Sequence, residues 1–522
     1  MTVAATDAVY DLIVIGSGFG GALAAAPAVL AGRRVLMIES GDWAERSDAN
    51  WTRDGFFDHS PYYDHAPAFD VTAEGARTRL GRFQVVGGAS VFYGGVALRM
   101  REQDFQPDAQ IEADSGAEWP YRYADLEPFY TKAEELLGVA GIAGEDPTDP
   151  PRSAGFPAPP APLAPISQRI AAAARGLGLH PFQLPLAINY ARTDTRVVCA
   201  LCGTCDGYAC RISAKNDLSI VLIPQLVTRG LELATKTMAI RLTHRDGRIT
   251  GVECRRGDGP EPVTFRGAVV VVAAGALPTP VLLLASGLAA VNPAGDAIGR
   301  YLMRHCNAMV LGVFRAPPAP ASEFHKQIGI NDFYFGHPSV TTPSGRLGCL
   351  QQFATPAPWT LDGRSPLAFL AGRQLKRTTG FIAIAEDQPQ AANRVSLAAG
   401  PSDPLAVPMG LVQHQYSDRD RAARAALVTV ARRILKRAGA WFSYAHMVET
   451  FSHALGTVRM GTDPATSPLD GWGAVRGVSN LFVTDASAFP RSAGVNPSLT
   501  IAANALRSGT HIAERLARGG PF

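Results

Sequence analysis

The stretch YDLIVIGSGFGGALAAAPAVLAGRRVLMIES, beginning at Tyr10, constrains the fold of this chain more than any other. The apolar run Leu12–Ile15 reads as a buried parallel strand, and Val35–Ile38 reads as its neighbour. Between them Gly16, Gly18 and Gly21 form G-x-G-x-x-G at the start of a helix. The first glycine permits a tight turn, the second lets backbone approach a pyrophosphate, and the third lets helix and strand pack closely. The second strand runs into Glu39, about 20 residues on, where a carboxylate is placed to bond a ribose hydroxyl and disfavours a 2′-phosphate. These features predict a Rossmann-like dinucleotide site formed by Gly16, Gly18, Phe19, Gly20, Gly21, Glu39 and Ser40. Pro27 stands inside the expected helix, where it should kink or shorten it.

The chain has 522 residues, too many for one compact core, so two domains are expected. Hydrophobic residues make up 47% and charged residues 18%, as in ordinary globular proteins. The net charge of +3 comes with no Lys/Arg run, which argues against a nucleic-acid partner. The N-terminal MTVAATDAVYDLIVIGSG lacks the basic and apolar regions of a signal peptide. No run of about 18 apolar residues is present, so no membrane span is expected. A cytoplasmic location is the default expectation, with export alongside a partner subunit left open.

The region from Phe451 onward carries HALGTVRMG, NLFVTDASAFP and NPSLTIAANALRS. These segments resemble the closing region of the glucose-methanol-choline (GMC) oxidoreductases, which bind FAD. Three further stretches agree in order: VVGGASVFYGGVALR (85–99), AAGALPTPVLLLASGL (273–288) and IGRYLMRHC (298–306). The resemblance implies an α/β plus α+β fold. A discontinuous FAD-binding domain would take 1–154, 213–305 and 451–522. A substrate domain on an antiparallel sheet would take 155–212 and 306–450. Alternating segments such as TTGFIAIAEDQPQAANRVSLA suit that sheet, and DRDRAARAALVTVARRILKRAG reads as an amphipathic helix. The stretch 298–306 is expected to be the strand that leaves the FAD domain.

The same resemblance implies cofactor contacts from Gly87, Gly88, Ser90, Tyr93, Gly94 and Gly95, and from Met238, Ala274 and Gly275. It adds Asp485, Ala486, Asn496, Pro497 and Ser498. Asp485, at a strand end, can bond a ribityl hydroxyl. The helix opening after NPSLT would point its N-terminal amides at the flavin edge where negative charge builds on reduction.

Oxidising an alcohol with flavin needs a base for the hydroxyl proton, and histidine suits the task because its pKa lies near neutrality. His453 begins HALGTVRMG and Asn496 begins NPS. By resemblance His453 is the base and Asn496 orients the substrate oxygen. His305 fills a slot expected to be structural. The flavin loop departs from the family pattern G-G-x-S-x-x-N-G. Tyr93 replaces the asparagine, and Phe92 stands where some members place a histidine bonded covalently to flavin. FAD is therefore expected to be non-covalent. The Tyr93 phenol is read either as reaching the substrate or flavin edge, or as a packing aromatic.

VFYGG, PLAIN (185–189) and a cysteine loop ending CRISAKND resemble the subgroup that oxidises a primary hydroxyl of aminoglycosides, and more distantly bacterial sugar dehydrogenases. A sugar, glycoside or aminocyclitol is the expected substrate. A more apolar alcohol, sterol-like or aryl, is the alternative. Oxygen or another electron acceptor would take the electrons, with a cytochrome or small subunit among the options. A redox-silent lyase on the same fold and an electron-relay subunit are the competing classes.

Cys199, Cys202, Cys205 and Cys210 fall in C-x2-C-x2-C-x4-C, one residue longer in the last gap than a bacterial ferredoxin run. An iron–sulfur cluster, tetrahedral zinc, or thiols free or joined in a disulfide all remain open for this loop. Cys254, Cys306 and Cys349 are scattered and expected to be buried.

Overall fold

The computed structural model describes residues 8–519 apart from 49–61, 193–195, 203–204, 258, 260–261, 319–325, 339, 341–345, 354–374 and 399–407. Apolar runs buried on both faces build a parallel sheet at its centre. Its order is Glu232–Ala234, Val35–Ile38, Val9–Ile15, Val263–Val272 and Leu481–Val483. The strands Arg248–Arg256 and Thr237–Arg245 extend it antiparallel from the near half of Val263–Val272.

The register of this sheet places the site. Ile15 pairs with both Ile38 and Val272, and Val272 pairs with Val483, so four strands end level. The residues that follow at that carboxyl edge are Gly16, Glu39, Ala273 and Thr484. Ligands of open α/β sheets bind outside this edge. The helix Phe19–Leu30 crosses behind the sheet and stops less than a turn beyond Pro27, which it contains. The long helix Ser498–Arg518 packs along it so closely that a Cβ on Gly509 would stand 2.4 Å from the Ala24 carbonyl oxygen. Tyr130 and Tyr121 pin that helix through hydrogen bonds to Thr500 (2.7 Å) and Asn504 (2.9 Å).

A second, six-stranded sheet is antiparallel throughout. It runs Phe442–Met447, Ala308–Val313, Thr378–Ala385, Gly348–Phe353, Ile328–Ile330 and Phe182–Gln183. The helix Asp418–Arg437 covers one face, burying Ala423, Leu427, Val430, Ala431 and Ile434 at helical spacing. Ser417 and Asp420 cap its start reciprocally, and Lys436 and Arg437 complement the dipole at its end. The expected sheet and amphipathic helix are thus both present. The segment 378–398 is divided, however: Thr378–Ala385 lies in this sheet, and Arg394–Leu397 lies in a four-stranded sheet with Gly410–His414, Tyr63–Ala73 and Ala76–Phe83.

One expectation fails. The stretch 298–306 forms no regular strand, because Gly299, Tyr301 and His305 adopt positive φ (92°, 65° and 58°) that breaks extended pairing. The next strand starts at Ala308.

Candidate active site

Three loops, two of them glycine-bearing, converge above the level strand ends. Gly16 has φ of 100°, and a Cβ there would stand 2.3 Å from the Ala273 carbonyl oxygen. A Cβ on Gly21 would stand 1.9 Å from the Gly16 carbonyl oxygen, so helix and strand meet only without one. A Cβ on Gly20 would stand 2.8 Å from Asp485 Cα, and one on Gly88 would stand 3.0 Å from Gly18 Cα. The loops of the first glycine triplet, of residues 87–95 and of residues 484–488 are therefore in contact.

Gly18 differs: a Cβ there would meet nothing within 4 Å. It caps the helix Phe19–Leu30 without a side-chain hydrogen bond, and the first internal bond runs from Ala22 N to Gly18 O. The amides of Phe19, Gly20 and Gly21 thus open beside a space bordered by Gly88. That space and those amides suit a pyrophosphate. The helix Ser498–Arg518, with Pro497 as its cap, likewise begins without a side-chain cap. These residues fit FAD.

Glu39 and Asp485 hold the loops together. Glu39 is buried, and its carboxylate accepts from Ser17 Oγ (2.6 Å), Ser17 N (3.2 Å), Ser40 Oγ (3.1 Å) and Gly41 N (2.9 Å). Burial raises its pKa and these four bonds oppose the rise. Ser17 Oγ also accepts from Gly87 N at 2.9 Å, so this residue, unnoticed in the motif, joins the two glycine loops. Asp485 accepts from Gly275 N (2.8 Å), Thr279 Oγ1 (2.6 Å), Ser487 N (2.8 Å) and Ser487 Oγ (2.5 Å). Ala274 and Gly275 follow directly on the strand Val263–Val272 and Ala273. Ala486 accepts from Gly456 N at 3.0 Å, which ties the segment after His453 to the same place. Met238 lies in the outer strand Thr237–Arg245, its sulfur 3.6 Å from Arg82 Nη1.

In the second loop, Gly87, Gly88 and Gly95 have φ of 94°, 54° and 78°. Ser90 Oγ donates to Gly87 O (2.6 Å) and accepts from Leu218 N (3.1 Å). The Tyr93 hydroxyl donates to Asn216 O (2.8 Å) and its ring meets Phe19 edge-on at 5.4 Å. The phenol is thus engaged in packing and a main-chain bond.

The cysteine loop is fastened by two lysines. Lys215, buried, donates to Tyr93 O (2.8 Å), Cys205 O (3.0 Å) and Tyr208 O (2.8 Å). Burial lowers its pKa, which the nearby Cys205 and Asp217 oppose. Lys326 grips Asp206 at 2.8 Å and 2.9 Å, over Gly94, where a Cβ would stand 1.9 Å from the Asp206 oxygen. None of the seven cysteines is paired in a disulfide. Among the described residues no three His, Cys, Asp or Glu side chains are placed to hold a metal ion. The ligand set expected of Cys199, Cys202, Cys205 and Cys210 is therefore not supported. Burial also pushes two of these thiols away from the thiolate form that metals bind, Cys199 to about 11 and Cys205 well above the usual value.

His453 is met by a residue expected to be structural. His305 Nδ1 lies 3.0 Å from His453 Nδ1, and His305 Nε2 lies 3.1 Å and 3.0 Å from the carbonyl oxygens of Ser492 and Ala493. The same loop continues to Asn496, whose Oδ1 accepts from Gln351 Nε2 at 2.5 Å. Gln351 projects from the six-stranded sheet, so that sheet fixes one member of the expected pair and the loop 491–497 links it to the other. Burial, then His305 and Lys326, push the His453 pKa down to about 3, which leaves a neutral imidazole near pH 7. Neither His305 nor Gln351 carried a local signal that betrayed these contacts.

Comparison with known proteins agrees with this geometry. The GMC oxidoreductase N-terminal profile matches residues 10–307 and the C-terminal profile matches 389–505. Paromamine 6'-oxidase of Streptomyces fradiae is 32% identical, over 97% of this chain and 92% of that one. 6'''-Hydroxyparomomycin C oxidase of Streptomyces lividus is 30% identical, over 98% and 92%. Among solved structures, pyridoxine 4-oxidase from Mesorbium loti shares the fold with a TM-score of 0.65 at 20% identity, over 96% of this chain and 99% of that one.

Proposed function

The chain belongs to the GMC oxidoreductase family, and we propose that it uses FAD to oxidise a CH–OH group of a sugar, glycoside or aminocyclitol to the carbonyl. The observation that carries this reading is the half-buried, neutral His453, linked through His305 to the loop that bears Asn496. A neutral imidazole accepts the hydroxyl proton of the substrate. Asn496, with Oδ1 taken by Gln351, turns its amide N–H groups to the oxygen that becomes an alkoxide and then a carbonyl. The amides after Gly18 and the uncapped start of Ser498–Arg518 would hold FAD through its negative charge. Bound FAD supplies the hydride acceptor. The substrate class follows the two Streptomyces relatives, whose names record oxidation of paromamine and of a hydroxyparomomycin.

The division into a flavin unit (1–154, 213–305 and 451–522) and a substrate unit (155–212 and 306–450) belongs to the same proposal. The four-stranded sheet bridges the two units, since it takes strands from Tyr63–Phe83 and from Arg394–His414. The electrons pass to oxygen or to another acceptor, a cytochrome or small subunit among the options, and peroxide formation during turnover distinguishes oxygen from the others.

The test is anaerobic mixing of the yellow protein with a paromamine-type amino sugar while the visible flavin band is followed. The band should bleach, and His453→Ala should slow bleaching by about 10²-fold or more. Unchanged bleaching in that variant would overturn the base assignment, and carbonyl release without bleaching would overturn the oxidation itself.

A further inference from the structure

We propose that His305 is a positioning residue that sets the tautomer of His453 and then receives its proton. The two rings form a directed relay that ends on main-chain carbonyls and leaves His453 Nε2 bare toward the substrate. This inference rests on the reading of His453 as the base.

The direction follows from donor and acceptor chemistry. His305 Nε2 faces the Ser492 and Ala493 carbonyl oxygens at 3.1 Å and 3.0 Å. Carbonyls only accept, so Nε2 carries the hydrogen. A neutral imidazole has one N–H, so His305 Nδ1 is an acceptor. Its partner at 3.0 Å, His453 Nδ1, must therefore donate. The lone pair of His453 is then on Nε2.

The arrangement also handles the charge that arrives. When a substrate hydroxyl gives its proton to His453 Nε2, the Nδ1 proton of His453 can cross to His305 Nδ1. One N–H bond forms and one breaks on His453, and the positive charge ends on His305. There the Nε2–H already meets two carbonyls. Asp387 is buried on this side; burial raises its pKa, but the His414 bond and then His305 bring it below the usual value, and its Oδ1 accepts no hydrogen bond among the described residues. Lys326 is the opposing cation within reach of His453 and discourages charge from remaining there. The backbone is held for the purpose. His305 adopts φ of 58°, unfavourable for a residue with a Cβ, and the buried Tyr416 hydroxyl donates to its carbonyl at 2.8 Å.

The test compares three variants of the FAD-loaded enzyme by anaerobic flavin reduction and its pH profile. Asn Oδ1 stands where His Nδ1 stands, and Gln Nε2 stands where His Nε2 stands. His305→Asn keeps an acceptor for His453 and loses the carbonyl contacts. His305→Gln keeps those contacts and loses the acceptor. His305→Ala should reduce flavin on the order of 10²-fold more slowly, with substrate affinity little changed. Its acid limb should move to higher pH, because removing the His305 ring lets water reach His453 and eases the desolvation that is the largest cause of its lowered pKa. His305→Asn should recover part of the rate and His305→Gln should not. The reverse order, or His305→Ala with wild-type rate and pH profile, would overturn the relay. If His305→Ala fails to hold flavin, the Asn and Gln pair decides. Failure of the base reading is distinct: His453→Ala would then itself be unimpaired.

Discussion

Gln351 Nε2 donates to Asn496 Oδ1 at 2.5 Å, from a strand of the six-stranded sheet to the loop before the last helix. The bond fixes which half of the Asn496 amide faces outward. Gln351→Leu removes the donor and lets the amide turn, so flavin reduction should fall about tenfold, the worth of one buried hydrogen bond of about 1.4 kcal/mol. Gln351→Glu reverses the bond, draws the Asn496 N–H inward and presents Oδ1 to the substrate, so it should be slower than the leucine variant. Stopped-flow reduction normalised to bound flavin checks the order. Equal rates in all three proteins would separate Gln351 from the reaction.

The glycines of the first loop should divide by what their missing Cβ would strike. Gly18→Ala places a methyl in open space, so the chain should fold and melt normally without flavin but bind FAD more weakly. Gly21→Ala drives a methyl to 1.9 Å from the Gly16 carbonyl oxygen, so folded protein should be scarce with or without flavin. Flavin content and the apoprotein melting curve distinguish the two. Full FAD affinity in Gly18→Ala would remove the cradle from the cofactor site.

Lys215 satisfies three carbonyls, those of Tyr93, Cys205 and Tyr208, from a fully buried position. Lys215→Met preserves the stem and strands all three. With about 1–3 kcal/mol for each unsatisfied buried group, a loss of roughly 3 kcal/mol or more is expected. The loosened loop should also expose Cys205, which a thiol reagent would then label faster than in the wild type. Unchanged stability and labelling would mean that another contact holds the loop.

If the lysines hold the cysteine loop without metal, chelation should change nothing. Protein purified without oxygen should contain about one flavin per chain and no stoichiometric iron or zinc, and dialysis against a chelator should leave flavin reduction unaltered. A broad thiolate–iron absorption that disappears with the chelator would restore the cluster reading.

The pH dependence of the wild-type enzyme follows from His453. Its pKa is pushed down to about 3, so the neutral, proton-accepting form persists until the solution is strongly acidic. Flavin reduction should therefore hold level from neutrality down past the ordinary histidine range. Activity should fall only as pH drops through the shifted value. A half-point near 6.5 would show that the free base is an ordinary solvated histidine.

The sequence by itself determined the nucleotide-binding half of this protein. Its requirements are local: an apolar strand, a glycine whose φ must be positive, and a glycine that admits a neighbouring backbone all sit within a few residues of one another. The strand Val35–Ile38, the start of the helix at Phe19 and the crowding at Gly16 and Gly21 were legible for that reason. His453 and Asn496 were legible through motif words, without any local physics that assigned their partners. Tertiary structure alone decided those partners. His305 meets His453 across 148 residues and Gln351 meets Asn496 across 145, and no periodicity encodes a contact made by two loops and a distant sheet. It also decided the cysteine loop. Cysteine spacing states only that four thiols could converge. Lys215 gathers carbonyls of that loop and Lys326 holds its Asp206 carboxylate, and among the described residues no three His, Cys, Asp or Glu side chains are placed to hold a metal ion.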